Sequence, residues 1–251
     1  MTRSPEVPVS RTFVLVPGAC HGGWAWQAVA NHLRAAGHTV HAYTPPGLGA
    51  DDDRRGVGLD DVARDLVAYV KERDLHDVSL VGHSWGGMVL SAVAHDLEPR
   101  LAHLVYYGAF VPLAGESLRD LCPPHYQELF DSLAGASDDN SLTFPLPVLQ
   151  GGFIQDASED VQLLAHSLLT PQPYATMTDP VGRIDYAALD VAQSYVVSPD
   201  DLALPPGEFG WTPRFPERLH RPTVITSEGS HEAMFTRPDV VARDLLAAVG
   251  A

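Results

Sequence analysis

Lysine is almost absent from this chain of 251 residues, in which Lys71 is the single example. Mechanisms that use a lysine as a Schiff-base former or a general base therefore have almost no candidate. Lysine and arginine together number 16 against 32 acidic residues, which gives a formal net charge of −16. Nucleic acids and anionic membranes attract positively charged surfaces, so we expect neither as a partner.

Cysteine is also scarce, and long apolar runs are missing. The two cysteines, Cys20 and Cys122, are well separated in the sequence and predict free thiols rather than a disulfide framework. No apolar run approaches the ~18–20 residues that a membrane span needs, and residues 1–10 lack the apolar segment of a secretory signal. We therefore expect a cytoplasmic protein. Without a metal-spaced Cys/His pattern or a GxGxxG motif, we expect neither a metal nor a cofactor.

The first 112 residues alternate between β-rich runs and helical patterns. The runs at 12–16, 38–43, 77–81 and 101–107 are typical of strands, and those at 23–36, 59–73 and 87–95 of helices. Strand and helix in alternation predict an α/β fold with a mostly parallel, doubly wound sheet.

The alternation stops between residues 113 and 190. Prolines and short helical candidates at 124–133 and 158–169 replace it there, and it resumes with strands at 193–197 and 222–226 and a helix at 238–249. We therefore predict one core formed by residues 1–112 and 191–251, with residues 113–190 as an inserted helical cap. Such an insertion would lie over the carboxyl ends of the strands, where ligands bind in open α/β sheets.

The pentapeptide Gly82-His83-Ser84-Trp85-Gly86 stands between a predicted strand and a predicted helix. In that context G-x-S-x-G is typical of a nucleophile elbow, a sharp turn that pushes the serine hydroxyl out of the sheet. Glycines two residues on either side allow neighbouring backbone to pass where a Cβ would clash. Ser84 is therefore the candidate nucleophile, whereas an ordinary glycine-rich turn leaves the second flanking glycine unexplained.

A serine hydroxyl needs a base within hydrogen-bond reach and usually a carboxylate that orients the base. Of the twelve histidines, His231 is favoured because it lies in a turn between the last predicted strand and the last helix. The acid is expected after the strand at 193–197, where Asp200 and Asp201 are adjacent and spacing alone leaves both open. Serine, acid and histidine then follow in the chain order expected for a serine elbow in an α/β sheet.

Acyl transfer also requires hydrogen-bond donors for the developing oxyanion, typically two backbone N–H groups. One is expected from Trp85, the residue after the nucleophile. The other is expected from the loop at 17–23, whose three glycines would let its amides approach a substrate closely.

Together these residues resemble the α/β-hydrolase superfamily, most closely its methylesterase and hydroxynitrile lyase branch. The segments that carry the resemblance are 13–26 (FVLVPGACHGGWAW), 33–38 (LRAAGH), 81–87 (VGHSWGG) and 230–234 (SHEAM). The resemblance runs from about residue 12 to the end of the chain and is weakest in the cap. It implies the α/β-hydrolase fold, Asp201 as the acid, and the amides of Ala19 and Trp85 as the oxyanion hole.

Several positions narrow the chemistry that this resemblance implies. The branch usually has histidine where this chain has Pro17, so the polarity beside the predicted site should differ. Similar hydroxynitrile lyases carry threonine at the position of Ala19 and lysine at that of Glu232. Without that lysine no cation is evident to stabilise a departing cyanide, so we do not expect cyanohydrin cleavage. A serine rather than an aspartate at position 84 argues against epoxide hydrolase and dehalogenase reactions.

We therefore expect a cofactor-free serine hydrolase of the carboxylesterase type that acts on an ester of a small, largely apolar substrate. The candidates for its apolar pocket are aromatic residues in or beside the cap: Phe110, Tyr126, Phe130, Phe144, Phe153 and Tyr174. The expected partner is that small molecule, and a homodimer is left open.

Two alternatives remain at this point. The same scaffold could act without hydrolysis, as a lyase, decarboxylase or cyclase on a natural-product intermediate, which the unusual Pro17 and the atypical cap favour. It could also serve as a small-molecule receptor, which the complete predicted triad disfavours. The sequence does not name the substrate, because fold and triad determine the chemistry far better than they determine the pocket.

Overall fold

A central sheet of six parallel strands organises the computed structural model, which describes residues 10–251. The strands of the protein are β1 (Thr12–Val16), β2 (Thr39–Ala42), β3 (Val78–His83), β4 (Leu101–Tyr107), β5 (Ser141–Leu142), β6 (Gln172–Pro173), β7 (Ala192–Val197) and β8 (Thr223–Thr226). The central sheet has the order β2-β1-β3-β4-β7-β8, and β5 and β6 form a separate antiparallel pair. Residues 1–9, which belong to the N-terminal segment without the apolar character of a secretory signal, lie outside the described residues.

Helices lie between the strands and beyond the ends of the sheet. They are α1 (Gln27–Ala35), α2 (Leu59–Glu72), α3 (Gly86–Leu97), α4 (Leu118–Leu121), α5 (Pro124–Gly135), α6 (Leu146–Val148), α7 (Glu159–Ser167), α8 (Ala175–Thr178), α9 (Ala233–Thr236) and α10 (Pro238–Ala248). Short 3₁₀ turns occupy Gly23–Trp26, Glu98–Arg100 and Pro216–Arg218, and a π-helical turn occupies Leu149–Phe153.

Strand β1 illustrates why the sheet is covered on both faces. Val14 and Val16 point into one hydrophobic cluster, with side chains of α2 and α3, and Phe13 and Leu15 point into the other, with side chains of α1 and α10. All four side chains are fully buried, as expected for a strand in a parallel sheet between two helical layers. The predicted doubly wound α/β fold is therefore confirmed.

The predicted element boundaries differ from the structure in two informative places. The helix predicted from residue 23 begins as the 3₁₀ turn Gly23–Trp26 and becomes α-helical only at Gln27. A Cβ on Gly23 would lie 2.4 Å from the Ala42 carbonyl oxygen, so this turn packs directly against the backbone at the end of β2. The elbow strand continues two residues beyond its predicted end, to His83.

Residues 113–190 contribute no strand to the six-stranded sheet of the described chain. The predicted helices of this segment are found as α5 and α7, with α4, α6 and α8 as short additions. The antiparallel pair of β5 and β6 was not predicted, because strands of two residues carry no detectable periodicity. The division of the chain into a core and a cap domain stays a prediction.

Both cysteines are buried and free, as predicted. In the described part of the chain, no helix has the length and apolar character needed to cross a membrane.

Helix α3 approaches the sheet so closely that two of its residues have to be glycine. A Cβ on Gly87 would lie 2.1 Å from the Phe110 carbonyl oxygen, and one on Gly86 would lie 2.9 Å from the Pro17 carbonyl oxygen. Both contacts are with backbone atoms, which cannot move aside as the end of a side chain can. The elbow helix is therefore seated directly on the loops that follow β1 and β4.

We predict that Gly87→Ala lowers the free energy of unfolding by about 1–3 kcal/mol, because the added methyl group displaces the backbone at Phe110. The matched control is Gly135→Ala in α5, where an added Cβ meets no atom within 4 Å apart from its chain neighbours and its own helix backbone. This control should be neutral or stabilising by up to about 1 kcal/mol through helix propensity. Urea unfolding of the two variants measures the difference, and equal stabilities would contradict the close packing of α3.

Candidate active site

The turn between β3 and α3 presents Ser84 in a strained backbone conformation. Ser84 has φ of 52°, in the left-handed region that few residues other than glycine adopt. Its backbone is held on both sides. The Ser84 N–H donates to the Tyr107 carbonyl at 3.3 Å, and its carbonyl accepts from the N–H groups of Gly87 at 3.1 Å and Phe110 at 3.2 Å. The predicted elbow is therefore fixed against the end of β4.

The two flanking glycines allow this turn to be tight. A Cβ on Gly82 would lie 2.7 Å from the Gly86 carbonyl oxygen and 2.7 Å from Leu90 Cδ1. A Cβ on Gly86 would meet the carbonyl oxygens of Val16 and Pro17 at 3.0 and 2.9 Å. Each glycine of the motif thus permits a specific backbone approach, which an ordinary glycine-rich turn does not require.

Of the two adjacent aspartates, Asp201 contacts the candidate base. Asp201 Oδ2 accepts a hydrogen bond from His231 Nδ1 at 2.7 Å, and Asp201 Oδ1 accepts one from the Ala203 N–H at 2.9 Å. Both side chains of the pair are almost completely buried. Asp200 is exposed and accepts instead from the Gly229 N–H at 3.5 Å. The pairing leaves Nε2 as the imidazole nitrogen that is free to act on a substrate.

The surroundings of His231 favour its protonated form. Burial alone lowers the pKa of this imidazole, but the Asp201 carboxylate, through its charge and its hydrogen bond, outweighs burial and raises the pKa above 6.5, with Glu232 adding to the effect. The ring stacks on Trp211 at 5.3 Å between centroids and 10° between planes, and Phe153 contacts it edge-on at 5.3 Å. His231 is therefore held in one orientation and can retain a proton once it has accepted one.

A second histidine, His83, supports the main chain of His231. His83 Nε2–H donates to the His231 carbonyl at 3.1 Å, and the two ring centroids lie 4.5 Å apart. Burial, followed by the nearby His231 and His21, lowers the pKa of His83 well below 6.5, so this ring is neutral.

Ser84 and His231 line the same cavity. The described contacts include no hydrogen bond from the Ser84 hydroxyl to the imidazole. Catalytic hydrogen bonds are often long in unliganded enzymes and shorten when the substrate binds. The two groups thus face one space in which a reacting atom can approach both.

The amides of Ala19 and Trp85 are available to a ligand. Within residues 10–251 neither N–H donates a hydrogen bond to the protein, whereas their neighbours Ser84 and Cys20 both do. Ala19 also lines the cavity that contains the Ser84 side chain. Pro17 does not line this cavity and contributes backbone contacts to Gly86 instead.

Aromatic and aliphatic side chains form the rest of the cavity wall. Five of the six aromatic residues predicted for the pocket line it: Phe110, Tyr126, Phe130, Phe144 and Phe153. The pocket prediction did not include the other lining residues Leu118, Cys122, Met177, Ala203, Leu204 and Trp211. Of the described lining residues, none has a carboxylate, ammonium or guanidinium group. Burial raises the pKa of both the Cys122 thiol and the Tyr126 hydroxyl to about 12, so both are neutral at physiological pH.

The prediction for Tyr174 is wrong. Its hydroxyl donates to Asp131, which also forms an ion pair with Arg119 at 2.6 Å, and Tyr174 does not line the cavity. The hydrogen bond to the Asp131 carboxylate holds the Tyr174 hydroxyl away from the apolar cavity. The sequence around Tyr174 gave no signal for this partner.

His21 is a buried residue that sequence reasoning missed, although it lies in the glycine-rich loop after β1. Its Nδ1–H donates to the Ala19 carbonyl at 2.7 Å, and its Nε2 lies 3.8 Å from Glu232 Oε1. Glu232, at the position of the lyase lysine, therefore faces His21 and does not line the cavity. Potential metal ligands of His83, His231 and Glu232 lie within 4.8 Å of one another, but both histidines already use one ring nitrogen within the protein, and we assign no metal site there.

The chain matches known proteins over nearly its whole length. The model of the alpha/beta hydrolase family matches residues 13–244. An extracellular alpha/beta-hydrolase from a Paenibacillus species superimposes with a TM-score of 0.91 at 30% identity, covering 95% of this chain and 98% of that one. That protein is described as sharing structural and functional homology with tobacco salicylic acid binding protein 2.

Two curated relatives are similar over shorter stretches. A carbendazim hydrolyzing esterase from Nocardioides sp. (strain SG-4G) is 46% identical over 113 residues, which cover 44% of this chain and 47% of that protein. Methyl jasmonate esterase 1 of Vitis vinifera is 34% identical over 137 residues, which cover 53% of this chain and 51% of that protein. The aligned stretches thus span about half the length of these relatives. The similarity to methyl jasmonate esterase 1 agrees with the methylesterase branch that the sequence resembles. On the family match and the near-complete superposition, the chain belongs to the alpha/beta hydrolase family.

Proposed function

We propose that this protein is a serine hydrolase of the carboxylesterase type, with Ser84 as nucleophile, His231 as base and Asp201 as the orienting acid. The observation that carries the proposal is the buried pair of His231 Nδ1 and Asp201 Oδ2, 2.7 Å apart, beside a cavity that the elbow serine also lines. A buried histidine–aspartate pair next to an elbow serine is the arrangement that activates a hydroxyl for acyl transfer.

In the first half-reaction the Ser84 oxygen attacks the ester carbonyl while His231 Nε2 takes the hydroxyl proton. The carbonyl π electrons move to the oxygen, and the amides of Ala19 and Trp85 donate hydrogen bonds to that oxyanion. Asp201 stabilises the imidazolium that has formed. When the oxyanion collapses, the bond to the alkoxy group breaks, and His231 returns its proton to the departing alcohol.

In the second half-reaction water replaces the alcohol. His231 takes a proton from the water molecule as its oxygen attacks the acyl carbonyl of the ester formed with Ser84. Collapse of the second oxyanion releases the carboxylic acid, and the proton on His231 returns to the serine oxygen. The net reaction consumes one water molecule and requires no cofactor.

The cavity supports a small, uncharged, largely apolar substrate. An ionised group placed against aromatic and aliphatic side chains loses its hydration without gaining a partner, which costs several kcal/mol. Phe144 and Phe153 lie 5.0 Å apart between ring centroids, and Tyr126 stacks on Phe130 at 5.5 Å, so packed aromatic rings form much of the wall. Two curated relatives are named for esterase activity on carbendazim and methyl jasmonate, and these names support ester cleavage by this chain.

The cytoplasmic location expected from the sequence stays a prediction, and a homodimer stays open.

We predict that Ser84→Ala reduces kcat/KM for short p-nitrophenyl esters by at least about 10⁴-fold, because the acyl-enzyme can no longer form. The matched control is Ser79→Ala on the same strand, whose buried hydroxyl has no hydrogen-bond partner in the described chain. This control should retain activity within about twofold. The rate of p-nitrophenolate release gives kcat at saturating substrate and kcat/KM at sub-saturating substrate.

Equal ester turnover by the wild-type protein and Ser84→Ala would contradict the acyl-enzyme mechanism. If neither protein cleaves esters, but a carbonyl substrate is converted and His231→Ala is more damaging than Ser84→Ala, the non-hydrolytic alternative is supported. Ligand binding without turnover of any ester would instead indicate a receptor.

We predict that kcat/KM falls on the acidic side of an apparent pKa above 6.5. His231 acts as a base only when neutral, and Asp201 raises its pKa, so protonation of this imidazole removes activity as the pH decreases through that value. Asp201→Asn should move this limb of the profile to lower pH and lower kcat by about 10⁴-fold. The control Glu232→Gln, which removes a smaller contribution to the same pKa, should move it less.

A pH–rate profile of the three proteins tests this ordering. An acidic limb that stays in place in Asp201→Asn would show that another group, rather than His231, controls the rate.

A further inference from the structure

The residue that follows Ala19 is held by the segment between α7 and α8. Cys20 has φ of 65°, a strained conformation for a non-glycine residue, so its backbone needs external support. Its N–H donates to Gln172 Oε1 at 2.9 Å, and its carbonyl accepts from the Thr170 N–H at 2.9 Å. Both backbone polar groups of Cys20 are therefore bonded to residues about 150 positions away in the chain.

Gln172 is fully buried, and its amide has one orientation. Its Nε2 donates to Thr176 Oγ1 at 2.6 Å, and the Thr176 hydroxyl donates its own proton to the Pro173 carbonyl at 2.6 Å. The threonine oxygen can thus only accept from Gln172, which places the amide NH₂ toward Thr176 and the amide oxygen toward the Cys20 N–H. The position of Gln172 is in turn fixed by the pairing of β6 with β5.

Thr176, which lies in the short helix α8, also binds Trp85, the residue after the nucleophile. The Thr176 carbonyl accepts a hydrogen bond from Trp85 Nε1–H at 3.0 Å, and the indole is fully buried. A continuous path of hydrogen bonds therefore leads from Cys20 through Gln172 and Thr176 to Trp85. Its two ends adjoin the two amides, of Ala19 and Trp85, that are free to hold an oxyanion.

We propose that Gln172 is a positioning residue that sets the separation of the two oxyanion-hole donors. This inference rests on the proposed function. Oxyanion-hole donors act over a narrow range of about 2.7–3.1 Å, so they must be held before the reaction begins. The loop with Ala19 follows β1 and the turn with Trp85 follows β3, and Gln172 connects them through a segment outside the central sheet.

The consequence is kinetic rather than a loss of binding. The oxyanion exists in the transition state and not in the bound ester, so misplaced donors lower kcat while KM changes little. If Gln172 had only a structural role, its substitution would instead lower the free energy of unfolding and leave kcat of the folded protein unchanged.

The test compares Gln172→Met with the matched variant Gln193→Met. Gln193 is also buried and also joins two segments, because its Nε2 donates to the Tyr186 carbonyl and its Oε1 accepts from the His220 N–H, both at 2.8 Å. It lies at the amino end of β7, away from the cavity. Methionine preserves the unbranched shape of glutamine and removes the hydrogen bonds in both cases.

We expect Gln172→Met to lower kcat for p-nitrophenyl esters by about 10- to 100-fold with KM within about threefold, and Gln193→Met to leave both within about twofold. Proton exchange of the Trp85 indole N–H, followed by NMR, should accelerate only in Gln172→Met. Thr176→Val, which keeps its shape but loses the hydroxyl acceptor, should lower kcat by about 3- to 10-fold and provides the test if Gln172→Met does not fold.

Equal kcat in the two methionine variants, or a rise in KM alone, would overturn the role of Gln172. That result, combined with inactive Ser84→Ala, would leave the proposed function intact. Ester turnover that persists in Ser84→Ala would overturn the proposed function itself.

Discussion

The left-handed backbone of Ser84, with φ of 52°, is the constraint on which the rest of the site depends. A non-glycine residue adopts this conformation at a cost of about 1–3 kcal/mol and keeps it only where its surroundings enforce it. Here Tyr107 at the end of β4 accepts from the Ser84 N–H, and Phe110 in the following loop donates to the Ser84 carbonyl. Glycines at 82, 86 and 87 allow strand, loop and helix to approach where a Cβ would clash. The packing around the parallel sheet thus holds Ser84 in its strained conformation, with the side chain at the cavity.

The remaining groups depend on that turn because they reach it from separate parts of the chain. Asp201 follows β7, His231 follows β8, and the loop with Ala19 follows β1, so the carboxyl ends of parallel strands bring them together. The segment that carries Gln172 adds no strand to the sheet, yet it fixes the loop after β1 and the indole after β3. Residues outside the central sheet therefore shape the pocket and also position backbone groups within the sheet's own loops.

The sequence predicted what depends on local pattern. The main strands and helices were found within a few residues because apolar period and turn residues are local signals. Ser84 and His231 follow from an elbow motif and chain order, whereas spacing left Asp200 and Asp201 open and the family resemblance implied Asp201. Trp211 and Gln172 gave no signal, since their importance arises from partners far away in the sequence. Tyr174 was wrongly placed in the pocket for the same reason, because its Asp131 partner could not be inferred from spacing.

The central claim is that Ser84 is the one activated nucleophile, and covalent labelling measures this directly. An alkyl fluorophosphonate forms a P–O bond to an activated serine oxygen as fluoride departs, and peptide mass spectrometry identifies the modified residue. The account predicts one phosphonyl group per chain, located on Ser84, with labelling slowed strongly in His231→Ala. A label on another residue, or an unlabelled protein that still cleaves esters after treatment with the reagent, would contradict it.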